Sequence, residues 1–110
     1  MNYQHGDLAR GRWHSFSLIE QMAHIGSEVE RALAWRRKNN TEYSRKAFER
    51  SLALIDLTLE SVRRKSSIRE ITRLREVLVD YFLGSNQCDS CESSWQKYFM
   101  CFTYAARKNF

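Results

Sequence analysis

Apolar residues recur along this chain at the spacing of an α-helix in four separate stretches. Leu18, Met22, Ile25, Val29 and Ala32 follow one another at offsets of four and three, and Ile19, Gly26 and Leu33 widen that stripe. Phe48, Leu52, Ile55, Leu59 and Val62 repeat the offsets. Ile71, Leu74, Leu78, Tyr81 and Phe82 make a third set, and Trp95, Phe99, Phe102 and Ala106 a fourth, flanked by Tyr98 and Ala105. Such spacing places each set on one side of a helix, and that side must be buried against another element. Connections of about three to six residues make consecutive helices antiparallel neighbours. The expected fold is therefore all-α, an antiparallel up-down four-helix bundle in a single domain over 1–110. Its helices fall at about 17–37, 41–64, 68–83 and 91–108, behind a loose N-terminal arm over 1–13 with Trp13 as its anchor.

Local signals mark the boundaries. Ser17 and Glu20 have the S-x-x-E spacing of a capping box, in which hydroxyl and carboxylate each satisfy an orphan backbone amide. Asn39-Asn40 breaks the first pattern. Ser67 and Glu70 repeat the capping signature before the third helix, and Gly84 suits the left-handed position that closes it. Asp89 and Glu92 mark the last start. The absence of proline and the count of four glycines argue against a β-sandwich or barrel, which needs more turn residues.

The chain carries 18 Lys and Arg against 13 Asp and Glu, a net charge of +5. That excess permits contact with phosphate or an acidic protein without requiring either. No apolar run is long enough to span a membrane. The N-terminal stretch lacks the apolar segment of a secretory signal, so no export signal is expected. Three cysteines in such a chain suggest a reduced, cytoplasmic protein.

Several constellations invite a chemical reading. Cys88 and Cys91 form C-x-x-C at a helix start, where amide dipoles favour thiolate. Yet no βαβ unit surrounds them, and a zinc site wants four ligands; they read as incidental loop thiols, with Cys101 nearly three turns further on. Glu20, His24 and Glu28 share one side of the first helix with Arg31 and Trp35, but without the Glu-x-x-His of bundle di-metal sites they read as a solvated, ion-paired face. No metal and no cofactor is expected. Arg69, Arg73, Glu76 and Asp80 describe a solvent face. Arg75, at the core edge, either bridges to an acid or lays its stem along apolar surface. No nucleotide-binding glycine pattern and no Ser/His/Asp arrangement is present, so nothing argues for an enzyme.

The basic runs Arg36-Arg37-Lys38 and Arg63-Arg64-Lys65 end the first two helices, where cations complement the dipole. Bundle topology would bring Arg10, Arg12, Arg63, Arg64, Lys65, Arg69, Arg107 and Lys108 to one end, near only Asp7, Glu60 and Glu70. Such an end could hold phosphates without reading sequence. Apolar residues off the main stripes, Trp35, Leu54, Leu57, Met100 and Tyr104, need a cover and mark a partner interface. In the closing stretch SSWQKYFMCFTYAARKNF, Trp95, Phe99 and Phe102 share the inward face, while Met100 and Tyr104 lie behind them. Burial explains these rings better than a base-stacking platform or a membrane foot does.

In helix number, size and basic charge, the chain resembles the small prokaryotic four-helix proteins grouped as HEPN-like. It also resembles the four-helix proteins encoded by intervening sequences of 23S ribosomal RNA. HEPN ribonucleases carry an Arg, four to six residues, then a His near the start of a late helix. Here the late helices hold no histidine, and Arg10 to His14 has the wrong spacing and lies in the arm. The resemblance thus implies a bundle that dimerises, sometimes beside a nucleotidyltransferase in a toxin–antitoxin type pair, and carries over no nuclease activity. Two functions are expected: an interaction module that forms a homodimer, or an RNA- or phosphate-binding protein that uses the basic end.

Overall fold

Ser17 and Glu20 open the first of the four expected helices as their spacing requires. The Ser17 hydroxyl accepts from the Glu20 amide at 3.2 Å, and the Ser17 amide donates to the Glu20 carboxylate at 2.9 Å. The computed structural model describes residues 6–108, with the side chains of residues 6–9 outside the description. Among the described residues every regular element is a helix: α1 (Gly6–His14), α2 (Leu18–Arg37), α3 (Thr41–Ser61), α4 (Lys65–Phe82) and α5 (Glu92–Lys108).

The turn between α2 and α3 is built by its two asparagines. Asn39 takes the left-handed conformation with φ 61°. Its amide donates to Arg36 O at 3.0 Å, and the Asn40 amide to Trp35 O at 2.9 Å. These are the two bonds of a Schellman closure, with asparagine in the place glycine usually takes. The Asn40 side chain then caps α3 by accepting from the Tyr43 amide at 3.0 Å.

Three boundary expectations are corrected. The second capping box does not form: α4 starts earlier, at Lys65, its N-cap Arg64 makes no side-chain bond, and Glu70 bonds Tyr98 instead. Gly84 does not adopt a positive φ; Asn86 and Asp89 do so in the connection that follows α4. That connection, residues 83–91, is longer than a tight bundle turn. Asp80 organises it, accepting from the amides of Gln87 at 2.8 Å and Cys88 at 3.0 Å.

The expected loose arm is also corrected, for its described part. Residues 6–14 form α1, which packs on α3. Trp13 is 6% exposed and donates its indole N–H to Thr58 Oγ1 at 3.0 Å, while its carbonyl accepts from Gln21 Nε2 at 2.9 Å. Residues 1–5 of that arm lie outside the described residues.

α2 is the hub, packing against both α3 and α5. Met22, Ile25, Val29, Ala32 and Leu33 from α2 enter the core with Ala47, Phe48 and Ile55 from α3. Ile71, Leu74 and Leu78 from α4 and Trp95 and Phe99 from α5 complete it. Neighbouring helices run in opposite directions. Along α2 and α3, Ala32 meets Ser44 and Glu28 meets Arg50. Along α3 and α4, Phe48 stacks on Phe82 and Asp56 meets Arg75. Along α2 and α5, Arg37 meets Glu92 and Gly26 faces Phe99.

Candidate functional site

The basic end is where charge and geometry coincide. A small cavity lined by Leu18, Met22, Ser67, Glu70, Ile71 and Phe102 joins the starts of α2 and α4 to the end of α5. Arg10 ties α1 to the end of α3 through Glu60 at 2.9 Å. These contacts bring together the first turns of α2 and α4 with the second half of α5, and α1 with the end of α3. Arg12, Arg63, Arg64, Lys65, Arg69, Arg107 and Lys108 are exposed, and none forms an ion pair among the described residues. Arg63 donates only to the backbone of Glu60, at 3.1 Å. Of the expected nearby acids, Glu60 is held by Arg10 and Glu70 by Tyr98; the Asp7 side chain lies outside the described residues.

One placement differs from the sequence reading in a way that bears on function. Arg64 and Lys65 do not finish α3; they cap and begin α4. Cations there face the positive end of the helix dipole, which disfavours them. No acid stands in the first turn of α4 to compensate. The other basic run is satisfied by its own chain. Arg36 lies over the ring of Tyr81 at 4.7 Å, Arg37 pairs with Glu30 and Glu92, and Lys38 lies over Trp35 at 5.2 Å.

The five residues expected at a partner interface separate into two groups. Trp35 is half-buried, edge-on to Tyr43 with ring centres 4.9 Å apart. Leu54 and Leu57 are half-buried against the core on α3, which packs on α1, α2 and α4. Met100 and Tyr104 stand on α5 and are 63% and 67% exposed, the largest values of any big apolar side chain among the described residues.

The remaining candidates take structural roles. Arg75 resolves its two alternatives as a bridge, donating to both Asp56 oxygens at 2.8 and 3.3 Å. The ion pairing expected on the face of Glu20, His24 and Glu28 forms at Glu28, with Arg31 three residues on. Glu20 caps α2, His24 packs on Phe16 at 4.9 Å, and Glu28 sits between Arg31 and Arg50 with its side chain 12% exposed. The Glu28–Arg50 pairing across helices has no local sequence signal. Asp80, assigned above to a solvent face, is held below the usual carboxylate range by the amides of Cys88 and then Gln87.

Cys91 is exposed beside the start of α5, and hydrogen bonds from Ser93 and then Ser94 lower its thiol pKa. Cys88 and Cys101 are free and exposed as well. No group of histidine, cysteine and carboxylate suited to a metal ion occurs among the described residues. No described helix is long and apolar enough to cross a membrane. No protein-family model matches the chain, no curated protein matches it, and no solved structure matches it.

Proposed function

We propose that this chain is a non-enzymatic interaction module: α2–α5 form an antiparallel up-down four-helix bundle that pairs with a second copy through the outer face of α5. The opposed helix directions and the shared core support the bundle. The pairing is carried by Met100 and Tyr104. Four residues apart on a helix, they project from the same face one turn from each other, and both are more than three-fifths exposed. Two large apolar side chains side by side on an open helix face are the kind of anchor that a helix-to-helix contact buries. Trp35, Leu54 and Leu57 stay outside this face, because their own chain covers them. Sedimentation velocity at micromolar concentration should show a dimer. Met100→Glu with Tyr104→Glu should give a monomer with unchanged helical circular dichroism. Wild-type protein that stays monomeric throughout that range would end the proposal. The family resemblance adds a nucleotidyltransferase as the first protein partner to try by co-purification.

RNA or phosphate binding at the basic end is a second function, favoured by the unpaired cations and above all by Arg64 and Lys65 at the uncapped start of α4. Binding of single-stranded RNA should weaken steeply with salt, and charge reversal at Arg63, Arg64 and Lys65 should flatten the dependence by roughly 0.7 per lost phosphate contact. Failure to bind RNA at low salt would exclude it.

A further inference from the structure

Between α4 and α5 lies a cleft of about 290 Å³. Leu74 and Val77 from α4 and Trp95 from α5 give it apolar walls, with Arg73, Ser90 and Ser94 among its other lining groups. Tyr98 and Glu70 also line it, and the phenol donates to the carboxylate at 2.8 Å. Burial first and this carboxylate second raise the Tyr98 pKa, so the phenol stays neutral and its proton stays committed to Glu70.

Trp95 is different. It is 5% exposed, and its indole nitrogen is buried without a hydrogen-bond partner, alone among the buried side-chain nitrogens and oxygens of the described residues. Buried tryptophan N–H groups normally find an acceptor. Trp13 in this same chain does so, on Thr58. The orphan donor therefore belongs to a residue that lines a mostly apolar cleft whose other aromatic polar group is already used.

We propose that the α4–α5 cleft binds a small, neutral, mainly apolar molecule with a carbonyl-type oxygen, and that this oxygen accepts the hydrogen bond Trp95 Nε1 lacks. The size argues for a molecule of one or two rings, since about 300 Å³ is the lower bound of ordinary ligand pockets. Charge argues for neutrality, because Glu70 and Arg73 bring opposite signs to the same lining. The indole nitrogen is buried, so the indole turns or α4 yields as the oxygen arrives. α4 is suited to yield: its main packing partner is α3, while α2 binds both α3 and α5.

The test uses acetophenone, its oxygen-free shape analogue α-methylstyrene, and benzoate, followed through the three tryptophan indole N–H signals in nitrogen-15 spectra of the full chain. Trp95→Phe identifies the signal. Acetophenone should move it downfield saturably. α-Methylstyrene should bind about tenfold more weakly, the worth of one ordinary hydrogen bond, and should cause no downfield shift. In Trp95→Phe the two should bind alike. Val77→Phe, which fills the cleft and leaves Trp95 in place, should abolish the shift while the protein stays folded. The proposal is overturned by an acetophenone titration that leaves the Trp95 signal unmoved up to the solubility limit, or by equal affinities for the matched pair in the wild type. Tighter binding of benzoate would overturn the neutral ligand. A Trp95 shift that follows protein concentration without any probe would put a second copy in the cleft and overturn it as well.

Discussion

Gly26 is the point where the packing of α2 against α5 can be tested with one methyl group. A Cβ built there would lie 2.8 Å from the Cβ, Cγ and Cδ1 of Phe99. Carbon atoms in contact settle at about 3.5–4.0 Å, so the methyl demands a retreat of about 1 Å. The Phe99 Cβ is fixed to the α5 backbone, and a rotamer change therefore cannot relieve the whole clash. Phe99 is itself 5% exposed, enclosed by Trp95 and Tyr98. Two effects of opposite sign compete in Gly26→Ala. Alanine favours the helix by about 1 kcal/mol. Overpacking a filled core costs up to about 3 kcal/mol, so the expected result is a net loss of about 2 kcal/mol.

Urea denaturation followed by circular dichroism measures it. With a slope near 1.5 kcal/mol per molar, the midpoint should fall by roughly 1.3 M at unchanged slope. Gly11→Ala is the control, since a Cβ there meets nothing within 4 Å; it should be neutral or slightly stabilising. Combining Gly26→Ala with Phe99→Ala should destabilise by less than the sum of the two, because the second change removes what the first strikes. An alanine at position 26 as stable as the wild type would refute the close approach. Simple additivity in the double variant would refute Phe99 as its cause.

Four further outcomes follow from single contacts. Ser17→Ala removes the cap of α2 and should cost about 1 kcal/mol in the same denaturation assay. Trp13→Ala empties a core site and removes the donor to Thr58; a loss of about 3–5 kcal/mol is expected, with α1 amides losing their protection from hydrogen exchange. Asp80→Asn should lower the melting temperature at neutral pH and speed exchange at Gln87 and Cys88. Because the folded-state pKa of Asp80 is depressed, its contribution is complete above the unfolded value near pH 4 and lost as pH falls through the folded one; the two melting temperatures should therefore converge below about pH 4. Lys65→Ala should raise stability by about 0.3–1 kcal/mol at low salt, the reverse of what a lysine closing a helix would show.

What could be read from the sequence was what is local. Ser17 and Glu20 are three residues apart, so the capping box depends on nothing beyond them, and it forms. Ser67 and Glu70 carry the same signature and fail. The Glu70 carboxylate is taken by Tyr98 from another helix, and α4 has already begun at Lys65. The four apolar stripes are local in the same sense, and most of their members reach the core. Which helix opposes which is not local. Trp35 seemed to stand on a polar face because its covers, Tyr43 and Lys38, lie beyond and at the helix end. Glu28 seemed solvated because Arg50 approaches it from α3.

Start positions matter most for the candidate site. With Arg63, Arg64 and Lys65 at the end of a helix, the dipole alone would account for them. With α4 starting at Lys65, the dipole opposes two of the three. Their own chain does not pair them: Glu60 is committed to Arg10, and Glu70, hydrogen-bonded to Tyr98, forms no ion pair with them. An unfavourable cluster on an exposed surface is cheap for this fold, because water screens it. It is cheap only while it stays in water, which means a protein partner docking on that end would have to bring acids. The outer face of α5 imposes no such demand around Met100 and Tyr104. An apolar contact between copies and a charged contact with a polyanion can therefore occupy different surfaces of one small bundle.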